Sequence, residues 1–219
     1  VENLTFRQGD ATHMTTAKTY DNLNRLLSIT TQPSSSSAIG YRYAYNSANQ
    51  RTSVTNTESA RWVYQYDALG QVVSGKKYWS DGIPVAGQQF EYTFDDIGNR
   101  KTAASGGDQF GVNLRSAGYT NNSLNQVTSR GVPGYVDLQG SATSTATVTV
   151  NNQPTYRHGD YFRVELSVTN ASAPVFLSVT NLAVLKNGAN ADIVSRVTGN
   201  ALVARSPEAF NYDADGNLT

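Results

Sequence analysis

Cysteine is absent from the 219 residues, which removes disulfides, thiolate metal sites and a cysteine nucleophile at once and leaves the redox compartment undefined. Net charge is absent too. Seventeen basic residues balance seventeen acidic ones, so neither a nucleic-acid footprint nor a steering field for charged substrates is indicated. There is no long hydrophobic run: the longest mainly apolar stretch, residues 175–185, is too short and too polar to span a bilayer. Helical periodicity is missing, and its nearest approach, residues 59–69, is too aromatic and too closely flanked by turns to compete. No signal peptide is visible, and the opening "VENLTF" starts in mid-pattern, which reads as a fragment of something larger.

What the chain does have is Ser, Thr and Asn, 64 residues together, with 13 Tyr and many Val: the composition of an exposed β protein whose strands are half-buried. It also repeats itself. An aromatic, then Asp or Asn, then a small or apolar residue, then Gly or Asn, then a long polar side chain recurs from Tyr20, Tyr45, Tyr66, Phe94 and Tyr212, with a weaker copy from Asn121. Upstream of most copies aromatics alternate, as in Tyr41, Tyr43 and Tyr45, Trp62, Tyr64 and Tyr66, or Phe90, Tyr92 and Phe94, which marks one face of a strand. Asp21, Asp67, Asp95 and Asp213 can bond the backbone two residues on, and Gly70, Gly98 and Gly216 can take a positive φ, so each copy is expected to be strand, turn, strand.

The copies start at intervals of 25, 21, 28, 27 and then 91 residues. The last interval carries no repeat signature. It is filled by runs of alternating β-branched and small residues with turns at "NNQP", "RHGD", "NASAP" and "KNGAN", which predict four to six short antiparallel strands. The expected division is therefore hairpin repeats over 1–130, an inserted small β-domain over 131–207, and the start of a further repeat over 208–219.

The signature "YDALGQ", "FDDIGNR", "YDADGNLT" resembles the tyrosine-aspartate (YD) repeat of Rhs proteins, which also occurs in insecticidal toxin complexes and teneurins. That resemblance implies an all-β fold of repeated antiparallel hairpins in a curved or spiral sheet, part of a hollow shell, while the insert's own strand and turn pattern suggests a small antiparallel sandwich-like unit. It further implies a bacterial, secreted or cell-surface protein whose shell encloses a C-terminal toxin or supports adhesion to carbohydrate or a surface protein. The remainder of its own polypeptide is the first partner expected. Hairpins of this kind need neighbours in any case, because a lone hairpin is marginal and stacked ones bury a face only by association.

Catalytic chemistry has little to draw on. His158 and Asp160 in "RHGDYF" could be a base and its orienting carboxylate, but no GxSxG motif accompanies them and an exposed turn is the preferred reading. Asp95 and Asp96 could flank a sugar bond, yet the repeat assigns one of them to its turn. "DADGN" at 213–217 resembles a calcium loop, but its Gly stands fourth rather than sixth. Phosphate loops and Rossmann glycine patterns are absent, so neither cofactor nor metal is expected, and the chain reads as non-enzymatic. A part in a polysaccharide-acting or self-cleaving enzyme is the remote alternative.

Binding has somewhat more support. Residues 75–87 read as a long link between hairpins carrying Lys77, Tyr78 and Trp79, which could stack on a sugar or anchor a protein partner. In the insert, Tyr161, Arg163 and Glu165 alternate with core-like Phe162, Val164 and Leu166 and are expected to point outward. Sequons at Asn3, Asn121 and Asn170 matter only in a eukaryotic secretory pathway.

Overall fold

The computed structural model describes residues 2–219, and among them nineteen strands and no helix are found. Twelve strands form one open antiparallel sheet in the order β1 to β11 followed by β19. They are β1 (Asn3–Gln8), β2 (Ala11–Tyr20), β3 (Leu26–Pro33), β4 (Ile39–Tyr45), β5 (Arg51–Asn56), β6 (Arg61–Tyr66), β7 (Val72–Tyr78), β8 (Pro84–Phe94), β9 (Arg100–Gly106), β10 (Leu114–Asn121), β11 (Val127–Arg130) and β19 (Glu208–Ala209). The order of strands follows the sequence throughout, so the sheet is a meander and its alternate turns lie on opposite rims.

Nine turns share one backbone pattern, in which a residue i donates its N–H to the carbonyl of i+4 and accepts from the N–H of i+3, at 2.8–3.1 Å. The openers are Asp21, Asn46, Asn56, Asp67, Trp79, Asp95, Asp108, Asn122 and Asp213. Residue i+3 always has a positive φ, whether it is Asn24, Asn49, Ser59 and Asn125 or Gly70, Gly82, Gly98, Gly111 and Gly216. This is a type I turn followed by a left-handed bulge residue, and the register shifts recorded beside Tyr20, Tyr45, Tyr66, Phe94 and Asn121 are its other half. The six turns of the repeat signature fall on one rim. Those opened by Asn56, Trp79 and Asp108 fall on the other.

The repeat residues hold the turns by a division of labour. In the copy opened by Asp67, Oδ1 accepts from the N–H groups of Leu69 (3.0 Å) and Gln71 (2.8 Å) while Oδ2 accepts from Gln71 Nε2 (2.9 Å). Asp21, Asp95 and Asp213 repeat the arrangement with Arg25, Asn99 and Asn217. Where the opener is Asn the side-chain bond reverses: Asn46 Nδ2 donates to Gln50 Oε1 at 2.6 Å, and Asn122 Nδ2 to Gln126 Oε1 at 2.7 Å.

These hydrogen bonds favour the ionised carboxylates. The Arg25 backbone N–H bonded to Asp21, and the Asn99 and Asn217 side chains bonded to Asp95 and Asp213, hold those carboxyls below 3.8. Burial pushes Asp108 up, but bonds from Asn113, Phe110 and Val112 outweigh it and leave it lowered as well. A folded-state pKa below the unfolded one stabilises fully above about pH 4 and is lost as pH falls through the folded value. Stability should therefore decline below about pH 4. Asp95→Asn should fold as well as the parent at pH 7, using the Asn46 pattern, and lose less stability on acidification; identical acid profiles by circular dichroism would refute the assignment.

At three copies the leading aromatic joins its hairpin to the one before it. Tyr45 Oη donates to the Leu26 carbonyl (2.9 Å), Tyr66 Oη to Arg51 (2.7 Å) and Tyr212 Oη to Val127 (2.9 Å), in each case the residue six past the preceding copy's aromatic position. The copy from Asn121 keeps the bond without an aromatic, because Asn121 Nδ2 reaches the Arg100 carbonyl at 3.4 Å. Phe94, with no hydroxyl, cannot make it. Guanidinium groups add to these joints where Arg25 lies over the Tyr45 ring at 5.0 Å and Arg100 over Tyr119 at 5.9 Å, and they brace single hairpins where Arg51 lies over Tyr43 at 4.5 Å and Arg100 over Tyr92 at 4.9 Å. Tyr66→Phe should cost about 0.5–1.5 kcal/mol, the worth of one hydrogen bond, read as a shift in the denaturant midpoint with unchanged slope.

Trp62 stacks beside Tyr64 (6.4 Å, 5°) and against Phe90 (5.9 Å), but all three are only half-buried. The sheet is a single layer here. Tightly packed apolar residues lie instead between residues 131 and 207 and at the rim beside them.

That segment forms two further sheets. One has the order β12 (Tyr135–Ser141), β16 (Tyr161–Ser167), β15 (Tyr156–His158); the other has the order β14 (Gln153–Pro154), β13 (Thr147–Val150), β17 (Val175–Leu185), β18 (Ile193–Val203). Val148, Val150, Phe162, Val164, Leu166 and Val179 form the core between them. β11 nonetheless pairs directly with β19, Ser129 opposite Ala209 and Arg130 opposite Glu208, so the meander continues as though the segment were one enlarged turn. Its neck is closed by Asn170, whose Nδ2 donates to the Val132 carbonyl (3.0 Å) and the Ala204 carbonyl (2.8 Å). The Asn170 carbonyl accepts from Ser206 N–H at 2.9 Å. This sequon asparagine is thus a buried clamp.

Candidate functional site

Three of the residues singled out for binding, Trp79, Tyr161 and Arg163, lie where residues 131–207 touch the rim opposite the repeat turns. The stretch 75–87 is no long link: β7 runs to Tyr78, residues 79–83 are one of the nine tight turns, and β8 resumes at Pro84. What is unusual comes next. Lys76 pairs with Gln89 and Tyr78 with Pro84, so residues 85–88 bulge out of the ladder opposite Lys77. Gln89 is fully buried and replaces the missing ladder bonds, its Nε2 donating to the carbonyls of Lys77 (2.9 Å) and Val85 (3.0 Å).

The bulge turns backbone groups of Ala86 and Gly87 toward the insert. Tyr161 Oη donates to the Ala86 carbonyl at 2.6 Å, and Gln139 Nε2 to the Gly87 carbonyl at 3.2 Å. Burial pushes the Tyr161 phenol far up, which keeps it protonated as a donor. Gly87 sits at φ +83°, and a Cβ there would fall 2.4 Å from Gln139 Nε2, so only glycine suits this approach. Trp79 closes the end of the contact, stacked on His158 (4.8 Å, 9°) and edge-on to Tyr161 (5.4 Å, 67°). His158 Nε2 lies 3.5 Å from Asp81 Oδ2, across the junction, rather than being paired with Asp160.

A charged cluster completes the junction. Arg163 is 9% exposed, its Nε bonded to Asp137 Oδ1 (2.7 Å) and one terminal nitrogen to Glu165 Oε2 (3.0 Å). Burial opposes the guanidinium charge, but Asp137 and Glu165 outweigh it and raise its pKa. Arg115 of β10 reaches across to Glu165 Oε1 through Nε at 2.8 Å, and Ser105 Oγ and Tyr135 Oη are 3.1 Å apart.

The expectation that Tyr161 and Arg163 dress an exposed surface is therefore corrected. They do lie on the face of β16 opposite Phe162, Val164 and Leu166, but the hairpin sheet covers that face. Of the other binding candidates, Lys77 lies 5.8 Å from the Trp62 ring and Tyr78 under Arg61 at 5.6 Å, both half-buried. The candidate acids do not converge: Asp95 and Asp96 sit in the β8–β9 turn and Asp160 between β15 and β16. The other histidine, His13, lies within β2. Among the described residues no cluster of three or more His, Asp or Glu side chains is arranged to hold a metal, and no helix is long and apolar enough to cross a membrane. The oxygens of Asp213 in "DADGN" are engaged by its own turn.

Comparison with known proteins gives three findings. No curated protein matches the chain. Among solved structures it is similar to the crystal structure of TcdB2-TccC3-Cdc42 (10% identity, TM-score 0.47) and to that of TcdB2-TccC3 without its hypervariable C-terminal region (11% identity, TM-score 0.47). In both, 99% of this chain aligns with 12% of the other, so it spans a small part of their length. The RHS Repeat family model matches residues 45–81, the stretch from the Tyr45 joint through the turns opened by Asn46, Asn56, Asp67 and Trp79. Over that stretch the chain carries an RHS repeat.

Proposed function

We propose that the chain is a structural, non-enzymatic stretch of wall in a large RHS-type protein, whose hairpins help build a shell that encloses or presents another domain. The observation that carries this reading is the joint between hairpins, in which a side chain at the aromatic position caps a carbonyl of the hairpin before it at Tyr45, Tyr66, Asn121 and Tyr212. Such a ladder has no natural stop, and the open edges at β1 and β19 suit continuation in either direction. In this reading residues 131–207 are a separate small unit mounted on the rim, and the protein is secreted or surface-associated. Adhesion to carbohydrate finds less support, because Trp79, Tyr161 and Arg163 are occupied by one another's neighbours.

Electron microscopy of the full-length protein tests the reading: a hollow particle is expected, and a solid or rod-like one would overturn it. A glycan array probed with the 219-residue chain should stay blank. The division into units has its own test. Replacing residues 132–206 by Asn-Gly should leave a meander that still unfolds cooperatively, because β11 and β19 are already neighbours; loss of the β-sheet circular dichroism signal would show that the boundaries are wrong.

A further inference from the structure

The two sheets of the insert do not match in breadth. β12 ends its sheet, and the strand it would need beside it, to lie over β18, is missing. On β17 the core residue Val179 fixes the inward parity, so Asn181, Ala183 and Leu185 also point inward, and the pairing puts Val197, Ser195 and Ile193 of β18 on the same face. Ile193 and Val197 are 56% and 59% exposed, although they continue the face that buries Val203.

The space so left is a cleft of about 470 Å³, within the range of ordinary binding pockets, lined by Asn181, Leu185, Ile193, Ser195, Val197 and the end of β12. None of its lining residues is charged. Asn181 Oδ1 is buried in its wall and finds no hydrogen-bond partner among the described residues.

The wall formed by β12 is a backbone edge. Ala142 N–H bonds to Asp160, and Val168 N–H to Gly134, so the even-numbered residues of β12 face β16. The N–H and C=O groups of Asp137, Gln139 and Ser141 consequently point the other way, and Gln139 and Ser141 border the cleft. An uncovered apolar face and an unpaired row of backbone donors and acceptors thus border one space, and an extended peptide satisfies both at once.

We infer that this cleft binds an uncharged, alternately apolar polypeptide segment, which adds to β12 as an antiparallel or parallel strand, covers Ile193 and Val197, and offers a donor to Asn181 Oδ1. The absence of charge from the lining sets the chemistry of the segment, and the free edge distinguishes a peptide from a lipid or a sugar.

The test uses the 219-residue chain and a panel of capped, uncharged peptides alternating valine or isoleucine with threonine, followed by hydrogen exchange and titration. Saturable binding is expected, with slowed exchange at Asp137, Gln139 and Ser141. Val197→Trp, which fills the cleft at an exposed position, should weaken binding by at least about tenfold. Ser141→Pro, which removes one outward N–H from an edge strand that tolerates proline, should do the same without lowering the melting temperature appreciably. No binding by any peptide, protection at β1 or the outer edge of β18 instead, or unchanged affinity in both variants would each overturn the inference. So would protection of the β12 amides without peptide in a sample that sediments as a dimer, since the occupant would then be a second copy.

Discussion

Arg163→Ala should cost about 3–5 kcal/mol, the range for removing one partner of a buried ion pair. The side chain is 10% exposed and is the only cation within hydrogen-bonding distance of Asp137 among the described residues, so its loss strands a carboxylate at the junction. Glu165 would keep Arg115 and suffer less. Urea unfolding at neutral pH measures the effect. Had Arg163 been a surface ligand residue, the change would lie within about 0.5 kcal/mol. Arg163→Lys should recover only part, because a point charge cannot serve Asp137 and Glu165 as a planar fork does.

Phe162→Ala should lose about 3–5 kcal/mol for a different reason, the cavity left in the core of the insert. Phe162 is 8% exposed, and a Cβ on Gly140 would stand 2.6 Å from its ring, so the opposite strand already approaches as closely as glycine permits. The two losses should differ in distribution. Arg163→Ala loosens the junction, whereas Phe162→Ala should accelerate hydrogen exchange over β12, β13, β16 and β17 and leave β2 to β6 nearly unchanged. Equal acceleration in both regions would mean that insert and meander unfold as one unit.

The hairpins were legible because their chemistry is local: an Asp Oδ1 that bonds residues two and four ahead, and a positive φ at the third, lie within five positions of sequence. Three turns of the same geometry escaped notice, those opened by Asn56, Trp79 and Asp108, because they occupy the rim that lacks the leading aromatic. The Asn121 copy looked degenerate because only the structure reveals that an amide can replace the tyrosine hydroxyl at Arg100. At the junction, alternation in β16 gave the face on which Tyr161 and Arg163 lie but not what covers it. Trp79 and His158 are far apart in sequence, and nothing in either neighbourhood announces the other. Gln89 gave no signal either: a buried amide that mends a bulge reads as one more polar residue in a strand.

The pairing of β11 with β19 makes the rim a set of splice points. Their facing backbones stand about one strand spacing apart, roughly 4.8 Å, so the meander asks of a graft only that its two ends leave side by side. Its length hardly matters, since closure entropy grows only logarithmically with the chain enclosed. The turns opened by Asn56 and Asp108 offer the same doorway on the same rim. A meander built this way can exchange the segment grafted at its rim without altering a single joint along the repeat rim.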